Sequence, residues 1–215
     1  MSTAANFDRL AQVYRWMEAL TFGPMLMRAR CAMLGQVQSC SRALVLGDGD
    51  GRFTARLLRS NPAVLVDAVD ASAAMVSRLR AHTQQHAERV HTFLADAREW
   101  HPARTDYDLI VTHLFLDCLT SDEVRVLAAR MREGCVPRAV WVVSEFAIPR
   151  GLFGVAIARP LIALLYRTFG LLTGLQVRRL PDHRAALADA GFVLLHVQPV
   201  LRGLLVSELW QAQSN

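Results

Sequence analysis

The sequence predicts an α/β fold, a doubly wound and mostly parallel sheet of seven strands closed by an antiparallel hairpin, with a helical lid before the first strand and a helical insertion after the fifth. Three observations carry this. From Ala43 to Val143, short apolar runs alternate with amphipathic stretches, as when buried parallel strands are joined by crossover helices. The first run, Ala43 to Leu46, leads into Gly47, Gly49 and Gly51, alternating glycines that bring the backbone close to something side chains would block. Near the C-terminus, the runs 192–198 and 204–210 flank Arg202-Gly203, which reads as a closing hairpin.

The elements follow in order. Residues 6–34 read as helical, with Phe7, Leu10, Val13, Tyr14 and Met17 tracing an apolar stripe that breaks at Gly23-Pro24 before a second helix. After the glycine loop, 52–60 is a short amphipathic helix stopped by Asn61-Pro62, and the run 63–69 ends in Asp70, nineteen positions beyond Gly51. An acid at a strand end at that distance can meet the ligand of a glycine loop from a second direction. Ser72 is placed to cap a helix whose apolar face is Met75, Val76 and Leu79. His82 and His86 stand four apart on it, but no Glu or third ligand lies nearby, so they read as a solvated face rather than a metal site. A third strand, 90–95, leads to Asp96, and a fourth, 109–112, leads to His113. Thr120 and Glu123 form a capping box for a helix carrying Val124, Leu127, Ala128 and Met131 and closed by Gly134. A fifth strand, 139–143, runs into Ser144-Glu145-Phe146.

Residues 151–175 are apolar almost all round, interrupted by Arg159, Pro160 and Arg167, which makes them a poor bilayer-spanning segment. Starting at the ligand edge of the sheet, they are expected to cap an acceptor pocket in front of His113 and Phe115, bent at Pro160; a dimer interface and a peripheral membrane contact are the rival readings. A last helix runs from 180 to 191. The whole reads as one domain: lid 1–40, cofactor-binding core 41–150, cap insertion 151–180, and last helix with hairpin 181–215.

Composition excludes several chemistries. All 24 basic residues are arginine, which removes Walker lysines, Schiff-base lysines and Tyr/Lys hydride-transfer pairs together. Arg59 stands where a calcium loop would need its bidentate Glu. Cys31, Cys40, Cys118 and Cys135 show no metal-ligand spacing and read as reduced thiols. The net charge of +5 comes from scattered arginines, which argues against a nucleic-acid partner. Without a signal-peptide pattern, the expected location is cytoplasmic.

Taken together, Gly47-x-Gly49-x-Gly51, Asp70, Leu94-Ala95-Asp96-Ala97 and Tyr107-Asp108-Leu109-Ile110-Val111 resemble the ordered motifs of class I, Rossmann-like S-adenosylmethionine-dependent methyltransferases. The start, Phe7-Asp8-x-x-Ala11-x-x-Tyr14, is similar to their quinone-biosynthesis-like branch, with Arg15 where that branch often has Asp. The resemblance implies S-adenosylmethionine as cofactor. It assigns the glycine loop to the methionine part, Asp70 to the ribose and Asp96 to the adenine, adds Ala71, Ala97 and Thr112 to the cofactor-binding residues, and sets His113 beside the transferable methyl. One departure stands out: Val45 occupies the place of the usual acid two residues before the first glycine, which leaves Asp48 or Asp50 to hold the cofactor's ammonium. His113 is the first candidate base, with Tyr14, Asp117 and Glu145 behind it. No Asn/Asp-Pro-Pro-aromatic signature is present, so the expected reaction is O- or C-methylation of a small, largely apolar acceptor by a monomer or homodimer. A nicotinamide-dinucleotide protein and a non-catalytic S-adenosylmethionine-binding protein are the alternatives.

Overall fold

The computed structural model describes residues 23–102, 104–164, 167 and 180–214. The stripe through Tyr14 and the cap residues 165, 166 and 168–179 lie outside these. Seven strands form one sheet in the order β3-β2-β1-β4-β5-β7-β6. They are β1 (Arg42–Leu46), β2 (Leu65–Asp70), β3 (Val90–Leu94), β4 (Tyr107–His113), β5 (Cys135–Phe146), β6 (Phe192–Val200) and β7 (Leu205–Ala212). The first five pair in parallel, and β7 pairs antiparallel with both β5 and β6. The helices are α1 (Gly23–Arg30), α2 (Arg52–Ser60), α3 (Ala73–His82), α4 (Ser121–Glu133) and α5 (His183–Asp189).

Strand alternation sorts the core onto two faces. Ala43 and Val45 of β1 join Leu109 and Val111 of β4 under α2, whose Phe53, Leu57 and Leu58 are buried there. Leu44, Leu46, Ile110, Trp141 and Val143 face the other way, onto Leu127, Ala128 and Met131 of α4 and Leu187 of α5. Both faces are thus covered, as the unbroken apolar strands require.

Boundaries move where a side chain takes over backbone hydrogen bonds. β2 starts at Leu65 rather than at 63 because Asn61 Oδ1 accepts the N–H groups of Ala63 and Val64, both at 3.1 Å, and holds them in the turn. α5 starts at His183 because Asp182 is its cap, accepting from Ala185 N at 3.1 Å. Ser72 and the Thr120/Glu123 box cap their helices as expected. Gly134 closes α4 at φ −86°, so its need for glycine is steric: a Cβ there would lie 2.8 Å from Pro102.

After β5 the chain turns into a helical segment over 152–164. Its Gly154, Ala158 and Ile162 are buried, the last two against Leu204, with Phe146 and Leu201 alongside. Residues 154–158 form a π turn in which Arg159 N donates to Gly154 O. Pro160, next in line, has no N–H to give, which favours such a local rewinding over a plain α turn. The segment therefore rests on the end of β5 and the tip of the β6–β7 hairpin.

Candidate functional site

The sheet register decides which residues meet. Leu46 pairs with Val69 on one side and with Thr112 on the other, Asp70 pairs with Leu94, and His113 pairs with Ser144. Hydrogen bonds continue the alignment past the strands: Gly47 N to Val69 O at 2.9 Å, Ala95 N to Asp70 O at 3.1 Å and Leu114 N to Ser144 O at 2.7 Å. Gly47, Asp70, the turn at Asp96 and His113 consequently leave the sheet along one edge, its carboxyl edge. Three interstrand gaps separate β3 from β4, so this edge spans roughly 14 Å.

Gly47, Gly49 and Gly51 all have left-handed φ, at 67°, 64° and 80°. A Cβ on Gly47 would fall 2.5 Å from the Phe115 ring, and one on Gly51 would fall 2.6 Å from Leu79, so these two serve packing as well as turning. At Gly49 a Cβ would meet only the Met75 sulfur, at 3.9 Å. This is the loop position whose bare backbone is open to a neighbour. Asp50 is occupied by Arg52, with Oδ2 2.6 Å from Nε. The Asp50 carbonyl lies 2.7 Å from His82 Nδ1, so His82 ties α3 to the loop.

Asp48 is buried at 5% exposure. Its Oδ2 accepts from Thr54 N at 2.9 Å and Thr54 Oγ1 at 2.7 Å, supplying the cap that Gly51 cannot. Its Oδ1 has no hydrogen-bond partner. Burial pushes this carboxyl up to about 6, against the opposing charge of Arg30 and the Thr54 hydrogen bonds.

His113 alternates onto the same face. Its ring is 2% exposed, stands edge-on to Phe53 with centroids 4.3 Å apart, and has no partner at either nitrogen. Burial and then the Arg30 charge drive its pKa well below the usual histidine range, so the imidazole is neutral at neutral pH. The next residue, Leu114, takes φ 53°, a conformation costly for a side chain with a Cβ. It turns the chain back so that Phe115 lies on Gly47. Arg30, Asp48 and His113 thus form one buried polar cluster between α1, the glycine loop and β4.

The remaining expected residues are placed differently. Asp70 Oδ1 accepts from Ser72 N at 2.9 Å, and Ala71 beside it is half-buried. Asp96 is enclosed by Arg98: Oδ1 accepts from its N and Nε, and Oδ2 from its Nε and Nη2, at 2.5 to 3.0 Å. Although partial burial works to raise it, these bonds and the arginine charge hold the Asp96 carboxyl below the usual range. Ala97 is packed in the core beneath the turn. Thr112 points to the face opposite His113, where its Oγ1 accepts from Trp141 Nε1 at 3.0 Å, so only its backbone is at the edge. Tyr14 lies outside the described residues.

Arg30 escaped the sequence reading, and Glu145, expected there only as a weaker candidate base, has a structural role. Arg30, buried at 5%, reads in sequence as an ordinary cation at a helix C-terminus. Glu145 is buried at 2% and accepts the N–H groups of Phe115 at 3.1 Å and Leu116 at 2.9 Å, fixing the turn after β4 from β5. Burial and the nearby Asp117 charge raise Glu145 well above the usual carboxylate range, while burial brings Asp117 to about 6.

Sheet order, antiparallel seventh strand and glycine loop define a class I methyltransferase fold, and residues 43–138 match the model of a methyltransferase domain. Among solved structures the chain is similar to the mitomycin 7-O-methyltransferase MmcR, at 16% identity and TM-score 0.70, covering 87% of this chain and 53% of that one. It is also similar to the N,N-8-amino-8-demethyl-D-riboflavin dimethyltransferase RosA of Streptomyces davawensis, at 18% identity and TM-score 0.64, covering 87% and 54%. A third is the N-methyltransferase NodS of Bradyrhizobium japonicum WM9 in complex with S-adenosyl-L-homocysteine, at 15% identity and TM-score 0.67, covering 88% of both chains. The chain spans about half the length of the first two. No curated protein matches it by sequence.

Proposed function

We propose that this protein is an S-adenosylmethionine-dependent methyltransferase that methylates a small, largely apolar acceptor on oxygen or carbon. The observation that carries the reading is the pair of buried, unpartnered groups beside the glycine loop: Asp48 Oδ1 and the His113 ring. Buried polar atoms without partners are uncommon and concentrate where a ligand completes them. An ammonium and a reacting group close together would complete both, as the methionine part of this cofactor would. NodS, whose fold the chain shares, was solved with the demethylated cofactor. A nicotinamide dinucleotide would present no ammonium to Asp48.

When bound, the cofactor supplies a methyl on a sulfonium, open to in-line attack by the acceptor. Asp48 Oδ1 would accept from the ammonium, the role that Val45 cannot fill, and the Arg30 charge felt at Asp48 would attract the carboxylate. Asp70 would accept from the ribose hydroxyls. Asp96 would meet the adenine amino group only by yielding part of its hold on Arg98, since that guanidinium and the Arg98 N–H already take up both of its oxygens; Ala71, Ala97 and Thr112 would contribute shape and backbone. His113, neutral and without a competing partner, orients the acceptor and takes its proton. A weak base suffices at oxygen, because a hydroxyl becomes strongly acidic as it gains the methyl. The inner side of the cap over 152–164, with Phe153, Ala158 and Ile162, would supply the apolar wall, and the free cysteines suit a cytoplasmic enzyme.

Thermal shift with S-adenosylmethionine and with dinucleotides, followed by mass spectrometry on a panel of phenolic and enolic acceptors, tests the reading. A shift with the methyl donor and a product heavier by one CH2 is the expected outcome. A shift only with a dinucleotide refutes it, and binding without transfer to any acceptor leaves a non-catalytic binding protein.

A further inference from the structure

The segment that follows β5 buries one side and leaves the other uncovered in an unusual way. Gly154, Ala158 and Ile162, one per turn, face the protein. From Gly151 to Leu164 every exposed residue is glycine or apolar except Arg159, and Leu152 and Val155 are 88% and 66% exposed. Isolated exposed apolar side chains are ordinary, whereas an apolar face running the length of a helix marks a contact surface.

Charge identifies the partner. Between Phe146 and Pro181 there are five arginines and no acidic residue, so the rest of the chain balances 19 arginines against 19 acids. The entire formal charge of +5 therefore belongs to this apolar segment. Arg150 and Arg159 are exposed on it, and the exposed Arg202 of the hairpin tip reaches over its Phe153 ring, 5.9 Å from the centroid. We propose that this face docks on an anionic phospholipid bilayer, with Leu152, Val155 and their neighbours entering the headgroup boundary and the three arginines meeting lipid phosphates. Apolar burial combined with basic side chains is how helices lie in a membrane interface without crossing it. Among the described residues no helix is long and apolar enough to cross. A second copy of the chain is a poorer occupant. A two-fold interface sets the same patch against itself, and here it would bring two acid-free, arginine-bearing faces within a Debye length. The inference rests on neither the cofactor nor the acceptor assignment.

The test is co-sedimentation of the full chain with vesicles of phosphatidylcholine alone and of phosphatidylcholine mixed with phosphatidylglycerol, at low and high salt. Binding is expected only to the mixed vesicles and is expected to fall as salt rises. Arg150→Gln and Arg159→Gln should each weaken it roughly fivefold. The double variant Leu152→Ser, Val155→Ser should weaken it more than tenfold, with an unchanged melting temperature because both side chains are exposed. Absence of binding to the mixed vesicles, or equal binding to both vesicle types, overturns the proposal. So does size exclusion showing a dimer that the double serine variant splits, since the face then belongs to a second copy.

Discussion

Asp48→Asn isolates the electrostatic tension at the glycine loop. The carboxyl rises from its ordinary 3.8 to about 6 on folding, so between those values the folded chain holds a proton that the unfolded chain has released. For an acid shifted upward, folding is penalised as pH rises through this window, and the penalty is complete above it. At pH 7 it comes to about 3 kcal/mol, and at pH 5, where the folded group is mostly protonated, to roughly half of that. Asparagine retains an oxygen for Thr54 N and Oγ1 but never ionises. Its own unpaired amide N–H shifts the stability of the variant by a constant and leaves the pH slope untouched. Urea unfolding of both proteins at pH 7 and pH 5 should therefore show the variant losing roughly half of its relative advantage, on the order of 1 kcal/mol, on acidification. Calorimetry on the same variant should show weaker S-adenosylmethionine binding, because the group that burdens the free protein is the one proposed to receive the ammonium. A stability difference that does not change with pH would refute the buried, ionised Asp48. A normal affinity would refute its role toward the cofactor.

Other outcomes follow from the same geometry. Asp70→Ala should weaken S-adenosylmethionine binding by about 1 to 3 kcal/mol, as read by calorimetry; an unchanged affinity removes the ribose assignment. His113→Gln should lower kcat about a hundredfold or more while leaving cofactor affinity nearly intact. Because the His113 pKa is depressed, the wild-type rate should show no histidine titration between pH 7.5 and 6. Glu145→Gln should melt close to wild type, since the amide oxygen still accepts from Phe115 and Leu116 and the raised carboxyl is already protonated. Glu145→Ala strands two N–H groups and should cost about 1 to 3 kcal/mol for each one left buried.

Much of the fold was legible because both of its signals are local. Apolar runs of strand length and punctuation such as Asn61-Pro62 or Thr120-x-x-Glu123 need no distant partner to be read, and every expected strand, the caps and the closing hairpin are present, although β2 begins later and β4 and β5 run longer than their apolar runs. The edge that gathers Gly47, Asp70, Asp96 and His113 followed from the parallel order alone. What sequence could not show is which acids were already spoken for. Asp108, read there as part of a motif, accepts Ser41 N and Arg42 N at 2.7 and 2.8 Å at the far end of β1. Arg98 closes on Asp96 from two residues away, and Trp141 reaches Thr112 from the neighbouring strand; both depend on side-chain direction, which spacing does not encode. Arg30 escaped notice for a related reason, since its importance lies in being buried beside residues 18 and 83 positions away.

The contact of Phe115 with Gly47 bears on how such a site can be altered. A loop that binds the donor and a turn that faces the acceptor would ordinarily be exchangeable parts, each open to replacement from another protein. Here the turn after β4 is laid directly on the Cα of the first glycine, and Glu145 pins it there from the neighbouring strand. An engineer replacing the turn to reshape the proposed acceptor side would disturb the glycine loop in the same step. Grafts into this scaffold should therefore carry Gly47, residues 113–116 and Glu145 as one cassette.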